Sequence, residues 1–172
     1  MLRIPCEIGN PAAPPDGTRL VPQSLFRLPS PDVDLTGISG SMLAARDTAG
    51  TRVFILTFNS DALFDTGSDV VRSTDTLDAA VRLINGHYPN GILQMRGHTD
   101  GTGSASGSQA LSQRRADYVR TYLTQHNTSA KSITSVGLGS TQPLTEEKNP
   151  DGSANTEGRR FNRRVEIVIR LP

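Results

Sequence analysis

The chain has 172 residues, 35% hydrophobic and 20% charged, with a formal net charge of +1. That is enough for one ordinary domain with its own core and too little for two. The near-neutral balance gives no global attraction to nucleic acid or an anionic membrane, no apolar run approaches the length of a membrane span, and the single cysteine, Cys6, can form no internal disulfide.

Seven of the eleven prolines fall between Pro5 and Pro31. Such a stretch buries too little apolar surface to offset the entropy of ordering it, so residues 1–37 read as an extended arm or tether and 38–172 as the folded domain. Deleting residues 1–31 is expected to leave the melting temperature within a few degrees of the intact chain, which paired thermal scans check. Met1 to Gly9 has no apolar segment of the kind that heads a secretory signal, so either the chain stays in the cytoplasm or its export signal or anchor lies outside this sequence. Leu2-Arg3-Ile4-Pro5 ahead of Cys6 is a poor lipidation signal, because charge and proline stand where small residues belong.

From about Gly37 the pattern becomes regular. Ser41–Arg46 and Thr51–Phe58 are strand-like runs joined by Asp47-Thr48-Ala49-Gly50, which predicts a hairpin. The second run is nearly continuous through Val53, Phe54, Ile55 and Leu56, as in a strand central to a sheet. Ser73 or Thr74 can cap a helix whose stripe is Leu77, Ala80, Val81 and Ile84, with Gly86 and Pro89 ending it. Gly91–Gly97 reads as a strand, Gly101–Gly107 as a Gly/Ser loop, and a second helix carries Leu111, Tyr118, Val119, Tyr122 and Leu123 to near Asn127. Ile133–Leu138 is a third strand or an edge. Val165, Ile167, Ile169 and Leu171 alternate with Glu166, Val168 and Arg170, a period-2 strand. Strands alternating with helices predict an α/β sandwich, a single sheet with helices on one face. No internal repeat is present.

Two charged residues stand out. Asp100 sits in a Gly-rich turn at the mouth of a strand, where it either caps its own turn or faces a ligand. Arg115 is four residues from both Leu111 and Val119, so it shares the buried stripe while Arg114 points about 100° away, outwards. A semi-buried Arg needs a partner, and Asp100 is the nearest candidate. The pair is either a structural ion pair or two opposite charges turned into one cleft.

Four stretches carry a resemblance: Leu63-Phe64-Asp65 with Gly67-Ser68; Gly97-His98-Thr99-Asp100 with Gly103; Leu111-Ser112 with Arg115-Ala116 and Val119; and Asn155-Thr156-Glu157-Gly158-Arg159 leading into Asn162-Arg163-Arg164-Val165-Glu166-Ile167. In order and spacing, across about two-thirds of the chain, these residues resemble the OmpA-like peptidoglycan-binding domain shared by the peptidoglycan-associated lipoprotein and flagellar stator families. The resemblance implies one mixed sheet of about four strands with helices on one face, and no catalysis and no cofactor. It implies recognition of the diaminopimelate residue in the peptide stem of peptidoglycan, Asp100 receiving the ammonium, Arg115 the carboxylate, and Arg163 lining the same pocket. Ser108, Thr102 and Asn59 complete the implied ligand set, with no metal. Ser108 departs from the family, which usually has Asn there, and a hydroxyl lacks the paired donor and acceptor of an amide. The implied partners are peptidoglycan and an outer-membrane, motor or secretion-system complex reached through the arm, and the implied location is the periplasm.

The residues leave rivals to weigh. His87, His98 and His126 lie on separate elements without zinc-ligand spacing. Ser104, Ser106 and Ser108 stand near His98 and Asp100, but no nucleophile-elbow pattern accompanies them. The pairs Arg114–Arg115, Arg159–Arg160 and Arg163–Arg164 lack the aromatics of a nucleic-acid surface. The serious alternative is an adaptor that keeps this fold for protein–protein contacts within an envelope machine and binds no peptidoglycan.

Overall fold

The computed structural model describes residues 33–46 and 51–172. The turn expected at 47–50 and most of the expected arm lie outside the described residues. Val33 and Leu35, from the end of that arm, pack against the core.

The elements run β1 (Gly40–Arg46), β2 (Arg52–Asn59), α1 (Ser60–Leu63), α2 (Asp75–His87), β3 (Gly91–Gly97), α3 (Ala105–Gln125), β4 (Ala130–Gly137), α4 (Thr156–Asn162) and β5 (Arg164–Arg170). The strands form one sheet in the order β1-β2-β5-β3-β4. β1–β2, β2–β5 and β5–β3 pair antiparallel. β3 and β4 pair parallel, with α3 as the crossover that parallel neighbours require. The sheet is mixed, as expected, with five strands instead of about four, and the run Ile133–Leu138, expected as a strand or an edge, falls largely within the edge strand β4.

Leu77, Ala80 and Ile84 of α2 and Ala116, Val119 and Leu123 of α3 bury one face of the sheet, against Phe54, Leu56, Phe58, Leu93, Met95, Val165, Ile167 and Ile169. β5 departs from the half-buried strand that its alternation predicts: it is buried along its length except at Arg170. It lies in the middle of the sheet, and its second row consists of Val168, in a small apolar cluster with Ala45, Val53 and Ile55, and of Arg164 and Glu166, which pair with each other.

Several boundaries move for local reasons. α2 continues through Gly86 to His87, and the turn comes later, at Pro89 and Asn90, where Asn90 takes a positive φ of 62°. α3 begins at Ala105, inside the stretch read as loop, because the Ser104 hydroxyl caps it by accepting from the Gly107 amide. α4 has no counterpart among the expected elements. Its signal was Asn155, whose side chain caps the Gly158 amide, with Glu157 in the first turn.

Glycine sets the height of α3 above the sheet. A Cβ on Gly97 would lie 2.1 Å from the Ser112 carbonyl oxygen, and one on its register partner Gly137 would lie 2.4 Å from the Gln113 amide. Only glycine permits this approach at either position. The start of α3 is thereby pressed onto the ends of β3 and β4, next to the loop that carries Asp100.

Candidate functional site

A cleft of about 390 Å³ opens where the end of β3, the start of α3, the 64–71 loop and the α4–β5 junction meet. Asp100, Arg115, Arg163, Ser108 and Thr102 all line it, together with Thr66, Gly67, Thr99, Gly103, Leu111 and Arg114. Asn59 is the one expected residue that the fold places elsewhere: its Oδ1 accepts from the Asp61 amide and caps α1.

Asp100 serves both roles that the sequence offered. Its Oδ1 accepts from the Thr102 amide at 3.1 Å and the Thr102 hydroxyl at 2.5 Å, the turn-capping arrangement. Its Oδ2 accepts from Arg163 Nη1 at 2.8 Å. Burial alone would raise its pKa, but the Thr102 and Arg163 contacts together hold it below the ordinary carboxylate value.

The partner expected for Asp100 is corrected: it is Arg163, not Arg115. Arg115 is buried, with 1% of its surface exposed. Its Nε donates to the Ser68 carbonyl at 2.8 Å and its Nη2 to the Asp65 carbonyl at 3.3 Å, with the guanidinium over the Phe64 ring. The 64–71 loop passes over α3 and supplies backbone acceptors, which no side-chain pattern announces. Nη1 of Arg115 makes no hydrogen bond among the described residues, so the guanidinium keeps donors for a ligand in the cleft. Burial lowers its pKa, against the opposing charges of Asp61 and Asp69.

Asp61 was missed. Its carboxylate binds Arg163 at Nε (3.1 and 3.2 Å) and Nη2 (2.8 Å). Asp61 above all, offset by burial and aided by Asp100, therefore holds Arg163 cationic well above its ordinary range. The contact spans 102 residues of sequence, and no spacing rule reaches that far. Arg163 is thus a strut between two carboxylates. Glu147 was missed too: both its oxygens accept from the Gly101 amide at 2.9 Å, and Asn162 holds it at 2.7 Å, which fixes the turn after Asp100.

The expectation for Arg114 is also corrected. It is exposed but not turned away: it lines the cleft, with its Nε on Asp69 Oδ2 at 2.9 Å. Ser108 is buried, and its hydroxyl makes no hydrogen bond among the described residues. Beneath the cleft, His98 is buried, and its Nε2 faces Glu166 Oε2 across a long contact of 3.5 Å. Neither ring nitrogen bonds to a serine. Burial holds the ring neutral. The arrangement presents an anchored carboxylate, a forked cation with spare donors and the amide-rich start of a 21-residue helix. It suits a ligand bearing both an ammonium and a carboxylate.

Comparison with known proteins places this geometry in a family context. The family described as OmpA family matches residues 63–157. The chain is 33% identical over 130 residues to the Photosystem I P700 chlorophyll a apoprotein A2 of Gloeobacter violaceus, covering 76% of this chain and 15% of that protein. Over 81 residues it is 40% identical to the Peptidoglycan-binding protein ArfA of Mycobacterium tuberculosis, covering 47% of this chain and 23% of that protein. The structure of the cell wall anchor of the T6SS from Pseudomonas aeruginosa superposes with a TM-score of 0.58 at 27% identity, covering 75% of this chain and 88% of that one. The chain spans from 15% to half of the length of the curated relatives it matches.

Proposed function

Because the chain belongs to the OmpA family, we propose that it binds peptidoglycan without catalysis, through the diaminopimelate of the peptide stem, and so anchors an envelope component to the cell wall. The observation that carries this reading is the placement of Asp100 and Arg115 on one cleft, each with capacity left for a ligand. Asp100 retains lone pairs for an ammonium beside its Thr102 and Arg163 contacts. Arg115 offers Nη1 to a carboxylate, and the Ser108 hydroxyl is available beside it. The names of ArfA and of the secretion-system anchor support the wall as the target. Such a ligand places the domain in the periplasm. Among the described residues no helix is long and apolar enough to cross a membrane. The arm of residues 1–37 is the part proposed to reach an outer-membrane, motor or secretion-system complex.

Co-sedimentation tests this directly. The full chain is expected to pellet with sacculi whose stems carry diaminopimelate and to stay in solution with sacculi whose stems carry Lys, which lacks the second carboxylate. No soluble muropeptide should be released. Release by pure protein would overturn the non-catalytic reading, and failure to pellet with either would favour the adaptor.

A further inference from the structure

Arg114 and Arg115 are neighbours on α3, and they grip neighbours on one loop: Arg114 Nε the Asp69 carboxylate at 2.9 Å, Arg115 Nε the Ser68 carbonyl at 2.8 Å. Both line the cleft. Asp69 therefore lies against one guanidinium and within the field of the other. Its pKa is lowered first by the Arg114 hydrogen bond, against burial, and also by the charge of Arg115. A carboxylate of the chain itself thus sits against an arginine that lines the cleft.

The three cleft arginines differ in how firmly they are held. Arg163 is fixed by Asp61 and Asp100 together, and Arg115 by two backbone carbonyls under cover of the loop. The Arg114–Asp69 pair stands in solvent, with 55% and 40% of the two side chains exposed, and exposed ion pairs are weak. The loop itself is tied, with the Asp65 amide on the Val70 carbonyl and the Ser68 amide on the Asp65 carbonyl. The Asp69 side chain can swing away while the Ser68 carbonyl stays on Arg115.

We propose that Arg114 forms a second anion subsite on the rim of the cleft, which takes a carboxylate of the stem residue next to diaminopimelate, with Asp69 as the internal occupant it displaces. The proposal rests on the diaminopimelate reading and deepens it: the domain then distinguishes stems whose γ-linked glutamate carries a free α-carboxylate from stems in which that group is amidated. The forked guanidinium suits a carboxylate and gains nothing comparable from a neutral amide.

Calorimetry on the full chain with three probes tests this: free meso-diaminopimelate, γ-D-glutamyl-meso-diaminopimelate, and the same dipeptide with its glutamate α-carboxyl amidated. The wild type is expected to bind the acid dipeptide about tenfold more tightly than the amide. Arg114→Gln should collapse that ratio to about one. Asp69→Asn should tighten binding of the acid dipeptide by about two- to fivefold, because the competing carboxylate is gone. Equal wild-type affinity for acid and amide, or a preference that survives in Arg114→Gln, overturns the subsite and leaves the diaminopimelate reading standing. No binding of any of the three probes by the wild type overturns that reading, and the subsite with it.

Discussion

Asp100→Asn and Arg115→Lys are each expected to weaken binding to diaminopimelate-type sacculi by tenfold or more. Truncating or neutralising one member of a desolvated charge pair costs about 2–5 kcal/mol of binding, and 1.4 kcal/mol is already tenfold. These two substitutions are chosen because each keeps part of the contacts that the side chain makes within the fold. Asp100→Asn keeps an acceptor for Thr102, and Arg163 remains held by Asp61. Arg115→Lys keeps the charge and much of the packing but loses the fork that reaches a carboxylate and two carbonyls at once. Arg115→Ala is less clean: it strips the Ser68 and Asp65 carbonyls of their donor, at about 1–3 kcal/mol of stability. Arg114 cannot serve as a neutral control, since it lines the cleft. Arg120 can, because its partner is Asp117 on the same helix in an exposed pair, and Arg120→Ala should sit within about 0.5 kcal/mol of wild type.

The pH dependence of the same site has a definite sign. Asp100 has a folded pKa below its ordinary value of 3.8, so its contribution to binding and stability is complete above that value. It is lost as the pH falls through the lower folded value. Sacculus binding should therefore show no Asp100 transition between about pH 7 and pH 5. A midpoint inside that window would mean that Asp100 is not held by Thr102 and Arg163 as the structure has it.

What was legible in the sequence was whatever repeats along one element. β3 emerged at its full extent, Gly91–Gly97, since flanking glycines bound a short apolar run, and the buried stripe of α3 placed Arg115 correctly inside. Contacts between elements were not legible. The 100° rule turned Arg114 away from the cleft because it knows one helix and not the loop laid across it. Asp61 and Glu147 meet Arg163 and the Gly101 amide only after the sheet closes, and no periodicity encodes that. The mistaken pairing of Asp100 with Arg115 has the same origin: both residues were visible, but the acceptors that satisfy Arg115 are backbone carbonyls. The family resemblance supplied Arg163 to the cleft, and the structure supplied its role as a strut.

The largest effect on the fold is expected beneath the site, from Glu166→Ala. Arg164 and Glu166 are both buried in the middle strand, with Nε on Oε1 at 2.6 Å. Burial alone would raise the Glu166 pKa, but His98 and Arg164 override it and hold the carboxyl at about 2. Removing the carboxylate leaves the Arg164 guanidinium buried with only the carbonyls of Asn162 and Gln142 as partners. Breaking a buried pair from one side costs about 3–5 kcal/mol, a fall in melting temperature of about 6–20 °C for a chain this size. Replacing both partners removes the stranded charge, so Arg164→Met with Glu166→Leu should recover most of the loss. The depressed pKa sets the acid profile: the stabilisation from Glu166 is complete above about pH 4.5, its unperturbed value, and is lost as the pH falls towards 2. In Glu166→Ala that part of the acid transition should flatten. The consequence reaches the cleft, because the His98 amide donates to the Arg164 carbonyl at 2.9 Å, joining the chain just after β3, two residues before Asp100, to the strand that follows Arg163. Glu166→Ala, assayed at a temperature where it is still folded, should therefore bind sacculi more weakly although Glu166 does not line the cleft. If it binds as wild type while melting lower by about 6 °C or more, the buried pair supports the sheet alone and has no part in aligning Asp100 with Arg163.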